Sequence, residues 1–379
     1  MGRGTGPNPP ALNPPIKPML ARIAPSLPEG DYLFEPKWDG FRALVFRQPR
    51  NVLIQSRDLR PLDRYFPELH EALLDKVPAG SVLDGEIVIA TAHGLDFDAL
   101  QLRLHPAASR VARLAAETPA SFVAFDLLAA RGRSILASPQ VTRRAALERL
   151  LRGAKPPLFV TVGTRDRSQA ADWLERFEGA GLDGVVAKPV DAPYQPGVRA
   201  MLKIKHVRTA DCVVAGFRWH KTGQGAVGSL LLGLYDTRGV LQHVGVTSSF
   251  TMAERRNMAK ELEPLRKNAL VRHPWLEWGG AKARGAPAGN ADDQRMPGAP
   301  SRWNGGKDLS WEPLQPRRVC EVKYDHLQGR RFRHAAVFLR WRSDKPPRDC
   351  TYDQLETVQP YELKKVLNGA RGSEPCAPG

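Results

Sequence analysis

Glu35-Pro36-Lys37-Trp38-Asp39-Gly40 places one lysine among carboxylates, an aromatic ring and a glycine. The apolar residues 41–46 follow directly and predict a strand, so Lys37 lies where a loop enters a strand. Such surroundings are typical of a lysine that acts as a nucleophile. A turn whose lysine is only solvated is the alternative, and the short motif by itself leaves both open.

The excess of basic residues points to a polyanionic partner. The 379 residues include 56 Lys and Arg but only 40 Asp and Glu, which leaves a net charge of +16. Nucleic acid is the first expectation for such a charge. A basic protein without such a partner is one alternative. An anionic membrane surface is another, although no basic amphipathic helix supports it.

Membrane, secreted and zinc-binding classes find no support in the sequence. No apolar run approaches the length of a membrane span, and the N-terminus lacks the apolar core of a secretory signal. The four cysteines, Cys212, Cys320, Cys350 and Cys376, form no CxxC pair, so no zinc site is expected. Scattered cysteines fit free thiols in a reducing cytoplasm.

The length suggests two domains, at about 100–200 residues per domain. Short strands alternate with a few helices over 17–207, and glycine-separated β runs over 208–365 predict a small antiparallel β-barrel or sandwich. An insertion near 280–310, rich in Gly, Ala and Pro, is predicted to be flexible. The segments 1–16 and 366–379 are predicted to be disordered tails.

Periodicity predicts the elements of the first domain. Strands are expected over 52–57, 81–90, 121–128, 183–188 and 201–205. Helices are expected over 141–151 and 168–180. Ser168 is the expected N-cap of the second helix, and Gly179 and Gly181 are expected to end it.

Strand alternation pairs like charges on two of these strands. Asp84 and Glu86 share a face, which predicts either metal or sugar-hydroxyl binding or an edge strand protected by charge. Lys203 and Lys205 also share a face. Two adjacent ammonium groups indicate a polyanion between them, with a half-buried strand bearing solvated lysines as the alternative.

Two further segments combine apolar strands with single charges. Phe125 lies in an almost wholly apolar strand and could stack on a base, whereas the simpler interpretation is a buried strand in which Asp126 caps a turn. Asp183 begins an apolar strand that ends at Lys188. Alternation places these two on opposite faces, so one of them could be structural.

The order of these segments resembles the motifs of the covalent nucleotidyltransferases. The matching stretches are Lys37-Trp38-Asp39-Gly40, Ser56-Arg57, Asp84-Gly85-Glu86, Phe125-Asp126-Leu127-Leu128, Asp183-Gly184-Val185-Val186-Ala187-Lys188 and Leu202-Lys203-Ile204-Lys205. Within this superfamily the chain looks like a bacterial ATP-dependent DNA ligase of the compact type associated with end joining and repair. The resemblance implies an α+β, ATP-grasp-like nucleotidyltransferase domain of mainly antiparallel sheets, followed by an OB-fold β-barrel.

The resemblance also implies a role for each matching residue. Lys37 would be adenylylated, with Asp39 orienting the 3′-hydroxyl of the nick. The nucleotide and phosphate ligands would be Glu35 on adenine, Phe125 stacked on it, Glu86 on the ribose, Arg42 and Arg57 on the nucleotide and the DNA 5′-phosphate, and Lys203 and Lys205 on the phosphates of ATP. In the barrel, Arg342, Asp344 and Lys345 would orient the leaving pyrophosphate.

Asp183 departs from the family pattern, which usually has Glu at this position. The resemblance implies a divalent cation, Mg²⁺ or Mn²⁺, with Asp183 and Glu86 as its candidate ligands. Asp reaches about one methylene less far than Glu. A water-bridged contact would compensate, because Mg²⁺ usually keeps several waters.

The expected partner is nicked duplex DNA, held without regard to sequence. Arg218, His220 and Lys221, on a predicted loop of the barrel, are candidate DNA contacts, with a solvated turn as the alternative. The resemblance implies a cytoplasmic, nucleoid-associated monomer that meets end-joining or repair proteins. The alternatives are an RNA ligase, a capping-type guanylyltransferase and a catalytically retired nucleic-acid-binding protein.

Overall fold

The computed structural model describes residues 12–91, 94–205, 208–276, 310–325, 327–328, 330–355 and 361–368. Its contacts divide the chain into two compact units. The first unit comprises residues 1–206 and 358–379, and the second comprises residues 207–357. No helix in the described part of the chain has the length and apolar character needed to cross a membrane.

The first unit is built mainly from strands. They are β1 Ala21–Ile23, β2 Tyr32–Pro36, β3 Phe41–Arg47, β4 Val52–Ser56, β5 Ser81–Val88, β6 Ala90–Thr91, β7 Gly94–Leu95, β8 Ser121–Ala130, β9 Arg133–Ser134, β10 Leu158–Val160, β11 Val185–Pro189 and β12 Met201–Ile204. Its first five α-helices are α1 Pro67–Lys76, α2 Phe97–Leu102, α3 Ala108–Glu117, α4 Gln140–Leu150 and α5 Arg167–Arg176.

Two sheets carry the candidate site residues. The larger has the order β10-β8-β5-β3-β4, with β9 paired to β8, and the smaller has the order β1-β12-β11-β2. All pairings are antiparallel except β10 with β8 and β1 with β12. Because β5 lies between β3 and β8, the interpretation of Asp84 and Glu86 as charges protecting a sheet edge is wrong.

Helices cover both sheets and bury their apolar faces. Leu69 and Leu73 of α1 and Leu147 of α4 join the core of the larger sheet. Trp173 of α5 and Phe177, in the turn that follows it, pack on the smaller sheet. The central strands β3, β5 and β8 are buried along most of their length and on both faces, and such burial of apolar surface is the main favourable term in folding.

Asp126 does not cap a turn. Its carboxylate lies 2.9 Å from Arg143 Nε and 3.0 Å from Arg143 Nη2, and both side chains are almost fully buried. This pair joins β8 to α4. Loss of one partner from such a buried pair typically lowers the free energy of unfolding by about 3–5 kcal/mol.

The second predicted helix begins one residue earlier than expected. Asp166, not Ser168, is the N-cap of α5, and its carboxylate accepts a hydrogen bond of 2.8 Å from the Ser168 backbone. Both residue types are strong N-caps, so the sequence pattern could not choose between them. A 3₁₀ turn over Phe177–Ala180 follows, and left-handed Gly181 ends it.

The second unit is a β-barrel with one long helix. Its elements are β13 Arg208–His220, β14 Gly223–Tyr235, β15 Leu241–Thr247, α6 Met252–Arg266, β16 Glu312–Tyr324, β17 Leu327–Gln328, β18 Arg331–Phe332 and β19 Val337–Trp341. The main sheet has the order β15-β14-β13-β16-β19 and is antiparallel throughout. A parallel bridge from Thr247 to Ala336 joins its outer strands, as closure of an OB-fold barrel requires.

The tails differ from their predicted bounds where the structure describes them. Ile16 exchanges backbone hydrogen bonds of 3.1 and 2.7 Å with the Gln55 side chain, so the segment from residue 12 is ordered rather than a disordered tail. Helix α7, Leu363–Asn368, spans the predicted start of the C-terminal tail at 366. Its buried residues Leu363 and Val366 pack in the first unit. The predicted insertion lies outside the described residues except for Ser310.

Candidate active site

Lys37 is held by the backbone at the end of β2. Its N–H donates to the Gly184 carbonyl at 2.8 Å, and its carbonyl accepts from the Asp183 N–H at 2.9 Å. These bonds continue the antiparallel pairing of β2 with β11 up to the lysine itself. The alternative of a merely solvated lysine in a turn is therefore wrong.

Two glycines permit this close packing. A Cβ atom on Gly184 would lie 2.1 Å from the Ile204 carbonyl oxygen, and the φ of this residue is +121°. A Cβ atom on Gly40 would lie 2.1 Å from the Ile87 carbonyl oxygen. Any side chain at either position would push apart the strands that carry the site.

Three lysines gather around Asp183. Its Oδ2 lies 2.6 Å from Lys37 Nζ and 2.8 Å from Lys205 Nζ. Burial opposes the negative charge on Asp183, yet Lys37 and Lys205 outweigh it and lower the pKa of this carboxyl. Burial and the charges of Lys37 and Lys205 lower the pKa of Lys203. Lys203 and Lys205, which strand alternation placed on one face, thus contribute positive charge near Lys37.

Arg42 and Glu86 face each other across β3 and β5, where they are direct partners in register. Burial raises the pKa of Glu86 to about 7, although the charges of Arg42 and Lys37 oppose this shift. The positive charge of Lys37 therefore acts on Glu86. A carboxyl that titrates near neutrality can either accept or donate a hydrogen bond, as contact with a sugar hydroxyl requires.

Glu35 and Phe125 are joined by Lys188. Lys188 Nζ lies 2.6 Å from Glu35 Oε2, donates to the Phe125 carbonyl at 3.0 Å, and lies 4.6 Å from the centroid of the Phe125 ring. The other oxygen of Glu35 pairs with Arg144 at 2.8 Å. Two cations thus fix a buried carboxylate beside the aromatic ring. Lys188 belongs to the site, although strand alternation left its role open.

Arg57 lies on the surface, and Asp39 lies close to Lys37 in the sequence. Arg57 is exposed, and its ion-pair partner is the adjacent Asp58 at 3.5 Å. Among the described residues, no contact joins Arg57 to Lys37. Asp39 is half-buried and lies two residues beyond Lys37.

The barrel residues form a separate cluster in the second unit. Arg342 directly follows β19 and pairs with Asp211 at 3.0 Å and with Asp344 at 2.8 Å. Lys345 lies 4.0 Å from the same Asp211 carboxylate. Arg342 and Lys345 of the last motif therefore both lie near the carboxylate of Asp211, a residue that the sequence patterns did not single out.

The candidate DNA contacts do not all lie on a loop. Arg218 and His220 belong to β13, and Lys221 follows it in the turn before β14. The register between β13 and β14 shifts at Arg218, Trp219 and His220. Such irregularities redirect side chains, so strict alternation does not apply to this end of the strand.

Arg144 and Tyr194 were missed as site residues, and strand alternation did not show that Asp84 would hold Arg42. Asp84 and Tyr194 belong to the network around Arg42, and Arg144 holds Glu35. Arg144 and Tyr194 lie 109 and 110 residues from their partners. Short-range patterns carry no signal over such separations.

Among the described residues, no group of three or more His, Cys, Asp or Glu side chains is arranged to hold a metal ion. Asp183 nevertheless contacts Lys37 directly, and the charge of Lys37 also acts on Glu86. Mg²⁺ is usually bound by one or two carboxylates together with substrate phosphates and water. This donor set fits such an ion.

Known proteins resemble the chain over nearly its whole length. A family model for the ATP dependent DNA ligase domain matches residues 18–205, and a model for the ATP dependent DNA ligase C terminal region matches residues 223–345. DNA ligase C2 of Mycolicibacterium smegmatis is 53% identical over 344 residues, which cover 91% of this chain and 95% of the relative. DNA ligase C of Mycobacterium tuberculosis is 51% identical, with coverage of 94% and 98%.

A solved structure from work on the Lig E DNA ligases shares the fold. It is 18% identical, with a TM-score of 0.53, and the match covers 86% of this chain and 99% of that one. Together with the family models, this similarity confirms the predicted α+β nucleotidyltransferase fold followed by an OB-fold barrel.

Proposed function

The chain belongs to the ATP-dependent DNA ligases, and from that premise we propose that Lys37 is the residue that carries AMP. The observation that supports this role is the position of Lys37. Backbone hydrogen bonds anchor it at the end of β2, and its ammonium group shares Asp183 with Lys205.

In the first step, the Lys37 ammonium group gives up one proton to solvent, and its neutral amine attacks the α-phosphorus of ATP and releases a second proton as the bond forms. A phosphorus–nitrogen bond forms, the bond to the β-phosphate oxygen breaks, and pyrophosphate leaves. Lys203 and Lys205 bind the phosphate oxygens and stabilise the charge that develops on them. Burial and the repulsion among these lysines lower the pKa of Lys203, and a bound phosphate would relieve the repulsion.

Two further steps seal the DNA. The 5′-phosphate of a nick attacks the phosphorus of lysyl-AMP, which frees Lys37 and leaves AMP joined to the DNA end. The 3′-hydroxyl then attacks that 5′-phosphate, the phosphodiester bond forms, and AMP departs. We assign Arg42 and Arg57 to the nucleotide and the DNA 5′-phosphate, and Asp39 to orientation of the 3′-hydroxyl.

The base and ribose are assigned to Glu35, Phe125 and Glu86. Phe125 would stack on adenine. Glu35 would accept a hydrogen bond from the exocyclic amine of adenine, while the Lys188 and Arg144 cations hold its carboxylate in place. Guanine presents a carbonyl oxygen at that position, which a carboxylate acceptor would repel. Glu86 would bind the ribose hydroxyl groups.

A divalent cation, Mg²⁺ or Mn²⁺, completes the proposed site. Asp183 and Glu86 are the residues that would hold it, directly or through water. Once bound, the ion would offset negative charge on the phosphate oxygens. Lys37 and Lys205 occupy the Asp183 carboxylate here, so water-bridged contact is the favoured mode for this shorter side chain.

The barrel would serve the nucleotide in the first step and DNA in the later ones. Arg342 and Lys345 would orient the pyrophosphate, and Asp344 would keep Arg342 in position. Arg218, His220 and Lys221 would bind the phosphate backbone of nicked duplex DNA. We further propose that the protein acts as a monomer in the bacterial cytoplasm, at the nucleoid, and receives DNA ends from end-joining or repair proteins.

The decisive experiment follows the covalent intermediate. The full chain is incubated with α-labelled ATP and Mg²⁺ and resolved on a denaturing gel. Label should remain on the wild-type protein and on Lys155→Ala, which removes an exposed lysine, but not on Lys37→Ala. Label retained by Lys37→Ala would contradict the assignment. Label from GTP alone would indicate a capping-type activity instead.

A further inference from the structure

Tyr194 reaches from the loop between β11 and β12 into the core beside Arg42. The residue is 4% exposed. Its hydroxyl donates to Asp84 Oδ2 at 2.6 Å and accepts from the Met19 backbone N–H at 2.8 Å. A single phenol thus connects the segment before β1 to a carboxylate on the central strand β5.

Asp84 in turn holds Arg42 by two hydrogen bonds. Arg42 Nε and Nη2 each donate to the carboxylate at 2.6 Å, and Nη2 also lies 3.3 Å from the Met19 carbonyl. The third nitrogen, Nη1, has no hydrogen-bond partner among the described residues. The Arg42 side chain is 19% exposed, whereas that of Asp84 is completely buried. One edge of the Arg42 guanidinium is therefore fixed, its carbon lies 4.5 Å from the centroid of the Phe125 ring, and Nη1 is left for a further acceptor.

The residues around Tyr194 restrict the orientation of its side chain. Its ring packs with Leu44, Phe46 and Leu128, and the guanidinium of buried Arg143 lies 5.7 Å from the ring centroid. A fully buried carboxylate with a single partner is unstable unless further donors satisfy its oxygens. The hydroxyl of Tyr194 supplies such a donor and fixes the rotamer of Asp84.

The hydrogen bonds of this network join Arg42, Asp84, Tyr194 and Met19, whereas Lys37 and Lys205 pair with Asp183. The two clusters can therefore serve different steps of the reaction. The Nη1 nitrogen of the Arg42 guanidinium matches a phosphate oxygen, and the fixed edge limits where that phosphate can lie.

We propose that Tyr194 is a positioning residue for the transfer of AMP to DNA: through Asp84 it orients Arg42 toward the 5′-phosphate of the nick. The proposal rests on the assignment of Arg42 to that phosphate. It predicts that loss of the hydroxyl slows AMP transfer and leaves self-adenylylation intact, because the hydroxyl bonds Asp84 and the Met19 backbone, whereas Lys37 is held by the backbone of residues 183 and 184 and by the Asp183 carboxylate.

The test separates the steps in single turnovers of the full chain. Self-adenylylation is followed with α-labelled ATP. AMP transfer is followed by mixing pre-adenylylated enzyme with a nicked duplex that carries a 5′-phosphate. Tyr194→Phe should slow transfer about tenfold, the effect of one hydrogen bond to a charged group, and change self-adenylylation less than about twofold. Tyr235→Phe, a buried tyrosine of the barrel whose hydroxyl has no partner among the described residues, is the matched control.

Arg42→Ala and the double variant complete the experiment. The double variant should transfer AMP no more slowly than Arg42→Ala alone, because Tyr194 acts through Arg42. The positioning role would be overturned if the losses of Tyr194→Phe and Arg42→Ala were additive in the double variant. It would also be overturned if Tyr194→Phe slowed self-adenylylation and AMP transfer equally, or if it transferred AMP normally while Arg42→Ala was slow. Normal transfer by Arg42→Ala would instead refute the assignment of Arg42 itself.

Discussion

At the level of single residues, Asp183 shows why an isolated motif is hard to interpret. Its carboxylate binds the ammonium groups of two lysines that lie far apart in the sequence. The backbone of the same residue donates to the Lys37 carbonyl. The carboxylate thus organises the positive charges of the site even before any cation binds, and a shorter side chain than Glu suffices for this.

Glu86 makes the stability of the protein depend on pH. Burial raises its pKa from 4.5 to about 7, so the folded state holds a proton that the unfolded state releases between these values. The free energy of unfolding should therefore lose a contribution from Glu86 as pH rises from about 4.5 to about 7. The variant Glu86→Gln carries no titrating group and should lack this decline.

Denaturant unfolding of both proteins at pH 5 and pH 8 measures the effect. The free energy of unfolding of Glu86→Gln relative to wild type should be larger at pH 8 than at pH 5. Equal differences at the two pH values would contradict the raised pKa. Other titrating groups are common to both proteins and cancel in the comparison.

At the level of elements, the approach of β11 to β12 depends on Gly184. We expect Gly184→Ala to lose self-adenylylation, because its Cβ would lie 2.1 Å from the Ile204 carbonyl and would shift the backbone that binds Lys37. Gly153→Ala is the matched control, since Gly153 has a φ of +71° and open space around its Cβ position.

The labelled-ATP gel and thermal unfolding together distinguish the two glycine variants. Gly153→Ala should lower the free energy of unfolding by about 1 kcal/mol, the cost of a left-handed non-glycine residue, and should keep full labelling. Normal labelling by Gly184→Ala would show that the strand pair tolerates a side chain at this position.

Two strands were predicted to within one or two residues of their observed ends, whereas several helices were not predicted at all. The strands over 41–46 and 121–128 have strong apolar runs, and the structure extends them by only one or two residues. Helices α1, α3 and α6 were not predicted. Helix α6 has a complete capping box at Thr251 and Glu254, which could have revealed it.

At the level of the whole molecule, the net charge of +16 matches a partner that is a polyanion. We expect nick affinity to fall steeply as salt rises, because bound phosphates release counterions. If Lys221 binds a DNA phosphate, Lys221→Ala should lower the slope of log affinity against log salt by about 1.

Binding titrations between 50 and about 200 mM salt measure this slope. Lys221→Arg keeps the charge and should keep the slope of the wild type. A salt-independent affinity would contradict phosphate contact as the basis of DNA binding, and an unchanged slope in Lys221→Ala would remove this residue from the interface.

The sequence by itself determined the class of chemistry and the order of the two folds, and it singled out Lys37 as the proposed nucleophile. These follow from ordered local motifs and alternation, which depend on neighbours within a few residues. Only the tertiary structure decided that Asp183 pairs with Lys37, that Lys188 and Arg144 hold Glu35, and that Tyr194 and Asp84 fix Arg42. Each of these contacts joins strands or loops that are distant in the chain, and their geometry depends on sheet order and burial, which no local pattern encodes.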